Sequence, residues 1–298
     1  MPCRATFTKI ELPKLYEEVH KTVTNDLKTA NDVALTTDGW TSRASQGFIT
    51  VTAQFIDPDW QLKNYTLQTR VLEESHTGIN IGEDLKEALS EWDLTSKNPS
   101  IVTDNAFNMS IAAREAGIEP HVGCLAHTLN LACTKALETP KVRKVLAKVR
   151  KIVTFFHRSN TAAAQLKRNQ QLLDIPVHRL KIDVKTRWNS TFDMIERYLE
   201  QQSAIYASLA SKEVKKNIKD FSSLTDNDLS DLESVQDVLK PFKVATLAIC
   251  DEKMPTITII GPILNRLIDN CKGVFSGSSR VKDLIAIRTT PRTVQHVF

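Results

Sequence analysis

Two acidic side chains, Asp38 and Asp104, each follow a short apolar run in this 298-residue sequence. If the two runs are neighbouring strands of one sheet, the carboxylates lie side by side. Such a pair can hold a divalent cation, and a two-metal site activates water for phosphodiester cleavage or strand transfer. Simpler interpretations exist, because Asp38-Gly39 is a common turn dipeptide and Asp104-Asn105 is typical of a helix start. The spacing alone leaves open both the metal site and these structural interpretations.

Three further side chains with metal-binding chemistry are His121, Cys124 and His127, in the pattern H-x-x-C-x-x-H. A closed structural zinc site needs four ligands, and no second pair of this kind stands nearby. The alternative is that Cys124 and His127 lie on the packed face of a helix, where a free cysteine behaves as a small hydrophobe.

A third group of residues is basic. Between Lys141 and Arg168 there are nine lysines and arginines and no acid, which is the pattern expected for a phosphate-binding surface. From these we select Lys144, Lys148 and Lys151 as DNA contacts, although a solvated basic face has the same composition. Arg187 and Trp188 are further candidates, because an indole and a guanidinium can stack on an unpaired base. A buried Trp that anchors a core is the alternative.

The elements that position these residues change character along the chain. A short apolar run over 33–38 and alternating apolar residues over 49–55 and 65–71 predict three strands, which form an antiparallel meander. A helix is predicted over 77–92 and a short strand over 101–104, placed parallel beside the first strand. After residue 123 the pattern is helical, with a stripe of apolar residues over 142–156 and a capping box at Thr225 and Asp228.

Composition limits the protein class. The chain is 41% hydrophobic and 25% charged, with a net charge of +4, so we expect a globular protein. No apolar run approaches the length of a membrane span, and five scattered cysteines fit a reducing compartment. We therefore expect an intracellular protein without membrane contact or a small-molecule substrate.

Four segments occur in an order that resembles the hAT superfamily of DNA transposases, and most of all its zinc finger BED domain-containing relatives. They are residues 34–42 (ALTTDGWTS), 102–109 (VTDNAFNM), 124–131 (CLAHTLNL) and 186–191 (TRWNST). The resemblance runs from about residue 3 to about residue 270.

This resemblance implies an α/β, RNase H-like mixed sheet interrupted by a large α-helical insertion. It implies that Asp38 and Asp104 match the first two catalytic acids, and that Arg187 and Trp188 match residues that handle transposon-end DNA. Cys124 and His127 match a further family motif. The implied organisation is a helical lead-in (1–30), an incomplete RNase H-like domain (31–140), a helical insertion (141–270) and a tail (271–298).

The family's third acid, its dimerisation segment and its BED zinc finger have no counterpart in this sequence, so we expect a chain truncated at both ends. With two acids we expect weak Mg²⁺ or Mn²⁺ binding at Asp38 and Asp104 and no efficient strand cleavage. We expect zinc binding only in a BED zinc finger, which has no counterpart here. We expect a homo-oligomer only for a full-length protein.

Three functions follow as hypotheses. The first is a nuclear, catalytically inactive, transposase-derived protein that acts by binding DNA and partners. The second is a metal-dependent transposase or nuclease that recruits a replacement acid such as Glu115 or Glu138. The third is a protein-interaction module that does not contact DNA.

Overall fold

The computed structural model describes residues 3–216 and 223–274, which form two compact units. The first unit contains residues 3–127 and 251–255, and the second contains the remaining described residues. The first unit has these elements in chain order: α1 (Arg4–Thr6), a π-helical turn (Phe7–Glu11), α2 (Leu12–Thr29), β1 (Ala34–Thr41), β2 (Gly47–Ile56), β3 (Leu62–Leu72), α3 (Gly78–Glu91), a 3-10 turn (Thr95–Lys97), β4 (Ser100–Thr103), α4 (Phe107–Glu115) and β5 (His121–Gly123).

The five strands form one mixed sheet in the order β3-β2-β1-β4-β5. The first three strands are an antiparallel meander, and β4 lies parallel to β1 on its other side. The α/β class, the meander and the parallel fourth strand predicted from the sequence are therefore confirmed. The fifth strand, three residues long and parallel to β4, was missed because so short a segment has no measurable period.

The first strand is longer than predicted. The sequence suggested an end at Asp38, but β1 continues to Thr41, because Trp40 pairs with Phe48 and Thr41 pairs with Gly47. The turn follows instead at residues 42–46, where Ser45 has φ of 62°. Asp38-Gly39 is therefore part of a strand, and its interpretation as a turn is wrong.

One face of the sheet forms the core of the first unit. Leu35, Ile49, Val51 and Ile101 are at most 1% exposed and pack in one cluster with apolar residues of α2, α3 and α4. Side chains alternate between faces along a strand, so Thr36, Asp38 and Trp40 lie on the opposite face. This alternation places the acid of β1 outside the core.

Helices α3 and α4 approach each other closely and run parallel. A Cβ built on Gly78 would lie 2.5 Å from Cβ of Ile111, and one built on Gly82 would lie 2.8 Å from Cβ of Glu115. The contact therefore depends on the absence of side chains at both glycines. Since residues near the start of α3 meet residues near the start of α4, the amino ends of the two helices lie together.

In the second unit, every regular element of the described residues is a helix. They are α5 (Leu125–Leu137), which begins in the first unit, α6 (Pro140–Arg158), α7 (Asn160–Leu172), α8 (Trp188–Glu200), α9 (Gln202–Ala210), α10 (Lys212–Lys215), α11 (Asp226–Ile249) and α12 (Ile257–Val274).

Two sequence predictions for this unit are confirmed. All seven apolar residues of the α6 stripe, from Val142 to Phe156, are buried. The capping box at the start of α11 is present, with Thr225 and Asp228 as its two members. Of the predicted tail, residues 271–274 end α12 and residues 275–298 lie outside the described residues. Within the described part of the chain no helix is long and apolar enough to cross a membrane.

Candidate functional site

The two aspartates lie at the same end of two paired strands. Strands β1 and β4 are parallel neighbours, and Thr36 is opposite Val102. The same register, continued by two residues, brings Asp38 level with Asp104. Asp38 is exposed within β1, whereas Asp104 follows β4 and accepts a hydrogen bond from the backbone N–H of Ala106 at 3.1 Å. The strand pairing therefore supplies the neighbouring positions that a shared cation would require.

The donor set around this pair does not fit a catalytic metal centre. Among the described residues, no three side chains of His, Cys, Asp or Glu are grouped so that they could hold a metal ion. Neither Glu115 nor Glu138 therefore completes such a group with the pair. A hard cation takes six or more oxygen ligands, so two carboxylates would leave most of them to water.

The H-x-x-C-x-x-H residues lie on different elements. His121 is on β5, Cys124 follows that strand, and His127 is on α5. Thr103 donates to the carbonyl oxygen of Asp104 at 2.7 Å, so its hydroxyl accepts from Nε2 of His121 at 2.9 Å. Burial lowers the pKa of His121. Since the N–H of Cys124 also donates to the Thr103 carbonyl at 2.8 Å, this motif supports the end of β4 beside Asp104.

An aromatic pair lies near the exposed acid of β1. The Trp40 ring stacks on Phe48 with centroids 4.4 Å apart and an interplanar angle of 11°. Its indole N–H donates to the Thr50 hydroxyl at 3.3 Å, and 45% of the residue remains exposed. Trp40 is not among the site residues predicted from the sequence, although its place two residues after Asp38 in a strand puts both side chains on one face.

Trp188, which the sequence analysis selected for stacking on DNA, is buried. It is 2% exposed, packs edge-to-face on Phe192 at 6.4 Å, and its backbone N–H donates to Oδ1 of Asn130 at 3.3 Å. This burial favours the alternative interpretation of Trp188 as a core anchor, and its role in stacking on DNA stays a prediction. Arg187, which precedes it, is exposed. A DNA contact by Arg187 stays a prediction.

The basic helix α6 is flanked on two sides by acids. On one side, Lys141 pairs with Asp231 and Lys148 pairs with Asp228, both at 2.7 Å. On the other side, Arg150 forms a bidentate ion pair with Asp183, in which Nη2 of Arg150 lies 2.6 Å from Oδ2 of Asp183. Lys148 therefore already has a carboxylate partner within the protein, which makes it a weaker candidate than Lys144 and Lys151, and a DNA contact by Lys148 stays a prediction.

Two of these carboxyl groups are held in the charged form. Burial acts to raise their pKa values, but hydrogen bonds outweigh burial in both cases. Arg150 and Thr191 leave the pKa of Asp183 below its usual value. Lys148 and the backbone and hydroxyl of Thr225 do the same for the pKa of Asp228. Asp228 thus belongs both to the α6 ion pair and to the capping box of α11.

Among the described residues, four cations of α6 have no such partner: Arg143, on another side of the helix, and three that recur along one face. Lys144, Lys151 and Arg158 are exposed, and no acidic group in residues 3–216 or 223–274 pairs with them. They recur every seventh residue, so they share one face of the helix at intervals of about 10 Å. We refer to these three residues as the outer cation row.

Comparison with known proteins gives two family matches. Residues 36–116 match the ZBED1 RNase-like domain, and residues 122–238 match the ZBED1 RNase-like helical domain. The first match contains the acid pair and strands β1 to β4, apart from the first two residues of β1. The second contains α6 and its acidic partners.

Similar proteins include regulators and transposases. The chain is 26% identical to the putative transcriptional regulator tpeD of Talaromyces stipitatus, over 90% of this chain and 35% of that protein. It is 27% identical to human zinc finger BED domain-containing protein 4, over 90% of this chain and 24% of that protein. It is 25% identical to the putative AC transposase of Zea mays, over 68% of this chain and 27% of that protein. The chain thus spans about a third or less of each relative.

Proposed function

Because this chain belongs to the BED-type proteins derived from hAT transposases, with an RNase H-like fold, we propose that it is a nuclear DNA-associated regulator that contacts the phosphate backbone and does not cut it. The regulator class agrees with the names of the relatives in Talaromyces and human. The nuclear location follows from such a role.

The observation that carries the proposal is the outer cation row. Lys141, Lys148 and Arg150 are paired with largely buried carboxylates, so these side chains have less charge to offer a phosphate. Lys144, Lys151 and Arg158 keep their charge at the surface and line one helix face. A linear array of cations releases counterions from DNA when it binds, and this gives affinity without sequence preference.

The test is the salt dependence of binding to a labelled blunt DNA duplex, measured by fluorescence anisotropy. We expect the triple variant Lys144→Gln, Lys151→Gln, Arg158→Gln to bind more weakly. The slope of log K against log salt should fall by about 0.9 for each phosphate contact that is lost. The matched control is Lys141→Gln with Lys148→Gln, which removes two charges from α6, one fewer than the triple variant, and should leave the slope unchanged.

Two results would contradict the proposal. If the wild-type chain does not bind the duplex at low salt, the protein-interaction module becomes the better hypothesis. If the control and the triple variant lose the same slope, the row has no special role and binding reflects total charge alone.

A further inference from the structure

Helix α4 has an exposed face that the proposed function does not use. Phe107, the first residue of α4, is 82% exposed. Ser110 and Arg114 lie on the same side of this helix, since they follow Phe107 by three and seven residues, and both are exposed. An aromatic ring and a cation about 10 Å apart therefore face solvent together. We refer to Phe107, Ser110 and Arg114 as the α4 face.

The position of this face links it to the acid pair. The Asp104 carboxylate accepts the N–H of Ala106, the residue immediately before Phe107. Phe107 is therefore the first residue of the helix that follows β4, separated from the end of the strand by three residues. An exposed aliphatic side chain also lies at this end of the unit, because Ile79 is 58% exposed and Gly78 beside it contacts Ile111 of α4.

The charge of Arg114 is largely available. Its guanidinium is 3.8 Å from the carboxylate of Glu115, and both side chains are well exposed. Exposed pairs of this kind contribute little, so the contact does not prevent Arg114 from meeting an anion. A ring with a neighbouring cation matches a nucleotide, which presents a flat base and a phosphate.

Resting on the proposed function, we propose that the α4 face binds unpaired DNA beside the acid pair, with the Phe107 ring stacked on a base and Arg114 paired with a phosphate. An intact duplex is a poor occupant, because a base must leave the stack before it can meet the ring, and this unstacking is unfavourable. Stacking is tolerant of sequence, since every base has a flat face. The ligand is thus a single strand or a locally opened duplex.

The experiment compares a labelled oligothymidylate strand with a labelled blunt duplex. We expect Phe107→Ala to weaken binding of the strand at least about fivefold and to leave duplex binding unchanged. Phe107→Trp keeps a ring and should restore strand binding. Arg114→Gln should lower the salt slope for the strand by about 0.7, the value for one phosphate of a single strand.

The matched control is Trp60→Ala. Trp60 is 84% exposed in the turn between β2 and β3, so it is an equally accessible ring at another place in the same unit. This variant should bind the strand like the wild type. Thermal unfolding followed by circular dichroism should be unchanged in Phe107→Ala, since the ring contributes little burial.

Four outcomes would overturn the inference. Phe107→Ala could bind the strand normally, it could lose strand and duplex binding alike, Trp60→Ala could lose as much, or Phe107→Trp could fail to restore binding. If one of these outcomes occurs while duplex binding still depends on the outer cation row, only this inference fails. If the wild-type chain binds neither DNA, the proposed function fails with it.

Discussion

Trp188 and Trp60 have opposite environments, since the first is 2% exposed at the start of α8 and the second is 84% exposed in a turn. We expect Trp188→Ala to lower the free energy of unfolding by about 3–5 kcal/mol, because it leaves a large cavity against Phe192. Trp60→Ala should change it by less than about 0.5 kcal/mol. Urea unfolding followed by circular dichroism measures both. A Trp188→Ala protein that is stable but binds unpaired DNA poorly would show that the indole is available to DNA.

The carboxyl groups of Asp183 and Asp228 predict how stability responds to acid. Their pKa values are lowered in the folded chain. Folding therefore gains stability from them above the ordinary carboxyl pKa of about 4, and this gain is lost as the pH falls through the lower folded values. We expect the urea unfolding free energy to decrease steeply as the pH is lowered through this range.

Variants identify the groups responsible for this dependence. Asp228→Asn should make the decrease smaller, because one titrating group with a lowered pKa is removed. Lys144→Gln is the control, since Lys144 belongs to the outer cation row, and it should keep the wild-type pH dependence. An equally steep decrease in Asp228→Asn would show that the acid sensitivity lies elsewhere.

At the level of single residues, Asp38 and Asp104 were selected from the sequence because each follows a short apolar run. The sequence could not distinguish the paired lysines of α6 from the unpaired ones. Lys148 and Asp228 are 80 positions apart, so their ion pair depends on how α6 meets α11 and not on any local pattern. The burial of Trp188 depends in the same way on packing within the second unit.

Two helical glycines should respond differently to alanine. A Cβ on Gly78 would lie 2.5 Å from Cβ of Ile111 and 2.7 Å from the carbonyl oxygen of Asn108, so Gly78→Ala must push α3 and α4 apart. We expect a loss of about 1–3 kcal/mol in unfolding free energy. A Cβ on Gly261 in α12 would meet nothing within 4 Å apart from its chain neighbours, but Pro262 follows it and crowds a side chain at this position. This crowding opposes the higher helix propensity of alanine, so Gly261→Ala should change the unfolding free energy by less than about 0.5 kcal/mol. Denaturant unfolding measures both variants.

At the level of elements, the spacing of apolar residues predicted strands and helices correctly where the pattern extended over many residues. The ten residues of β2 alternate in burial throughout, and the stripe of α6 extends over about four turns. Boundaries were less well predicted, because β1 continues past Asp38 through its pairing with β2. The start of α4 differs similarly, since Ala106 is its N-cap and Asp104 lies two residues earlier.

For the whole molecule, we predict that the purified chain neither nicks nor joins DNA in Mg²⁺ or Mn²⁺. The acid pair has two carboxylates, and no group of three ligand side chains occurs among the residues that the structure describes. A competent pair of metals requires more oxygen ligands than this. Supercoiled plasmid incubated with each metal and analysed on a gel provides the assay. Cleavage that disappears in Asp104→Asn would instead support a metal-dependent nuclease.

The family could be predicted from the sequence because four separate segments occurred in one order. Each segment alone also fits an ordinary turn, cap or core residue, so only their succession was specific. The two family matches, over residues 36–116 and 122–238, confirm that prediction. The surface proposed to contact DNA could be selected only with the structure, because net charge does not show which cations are already paired with acids.

Asp228 has a consequence for how the second unit opens. Its carboxylate closes the first turn of α11 and holds the Lys148 ammonium of α6. If that turn frays, Lys148 loses its partner, and if α6 detaches, the turn loses a contact that keeps its carboxylate in place. Local opening of the two helices is therefore one cooperative event, in which their backbone amides exchange hydrogen with solvent together. Through this single carboxylate, the acidic and the basic segments of the chain form one unit of local stability.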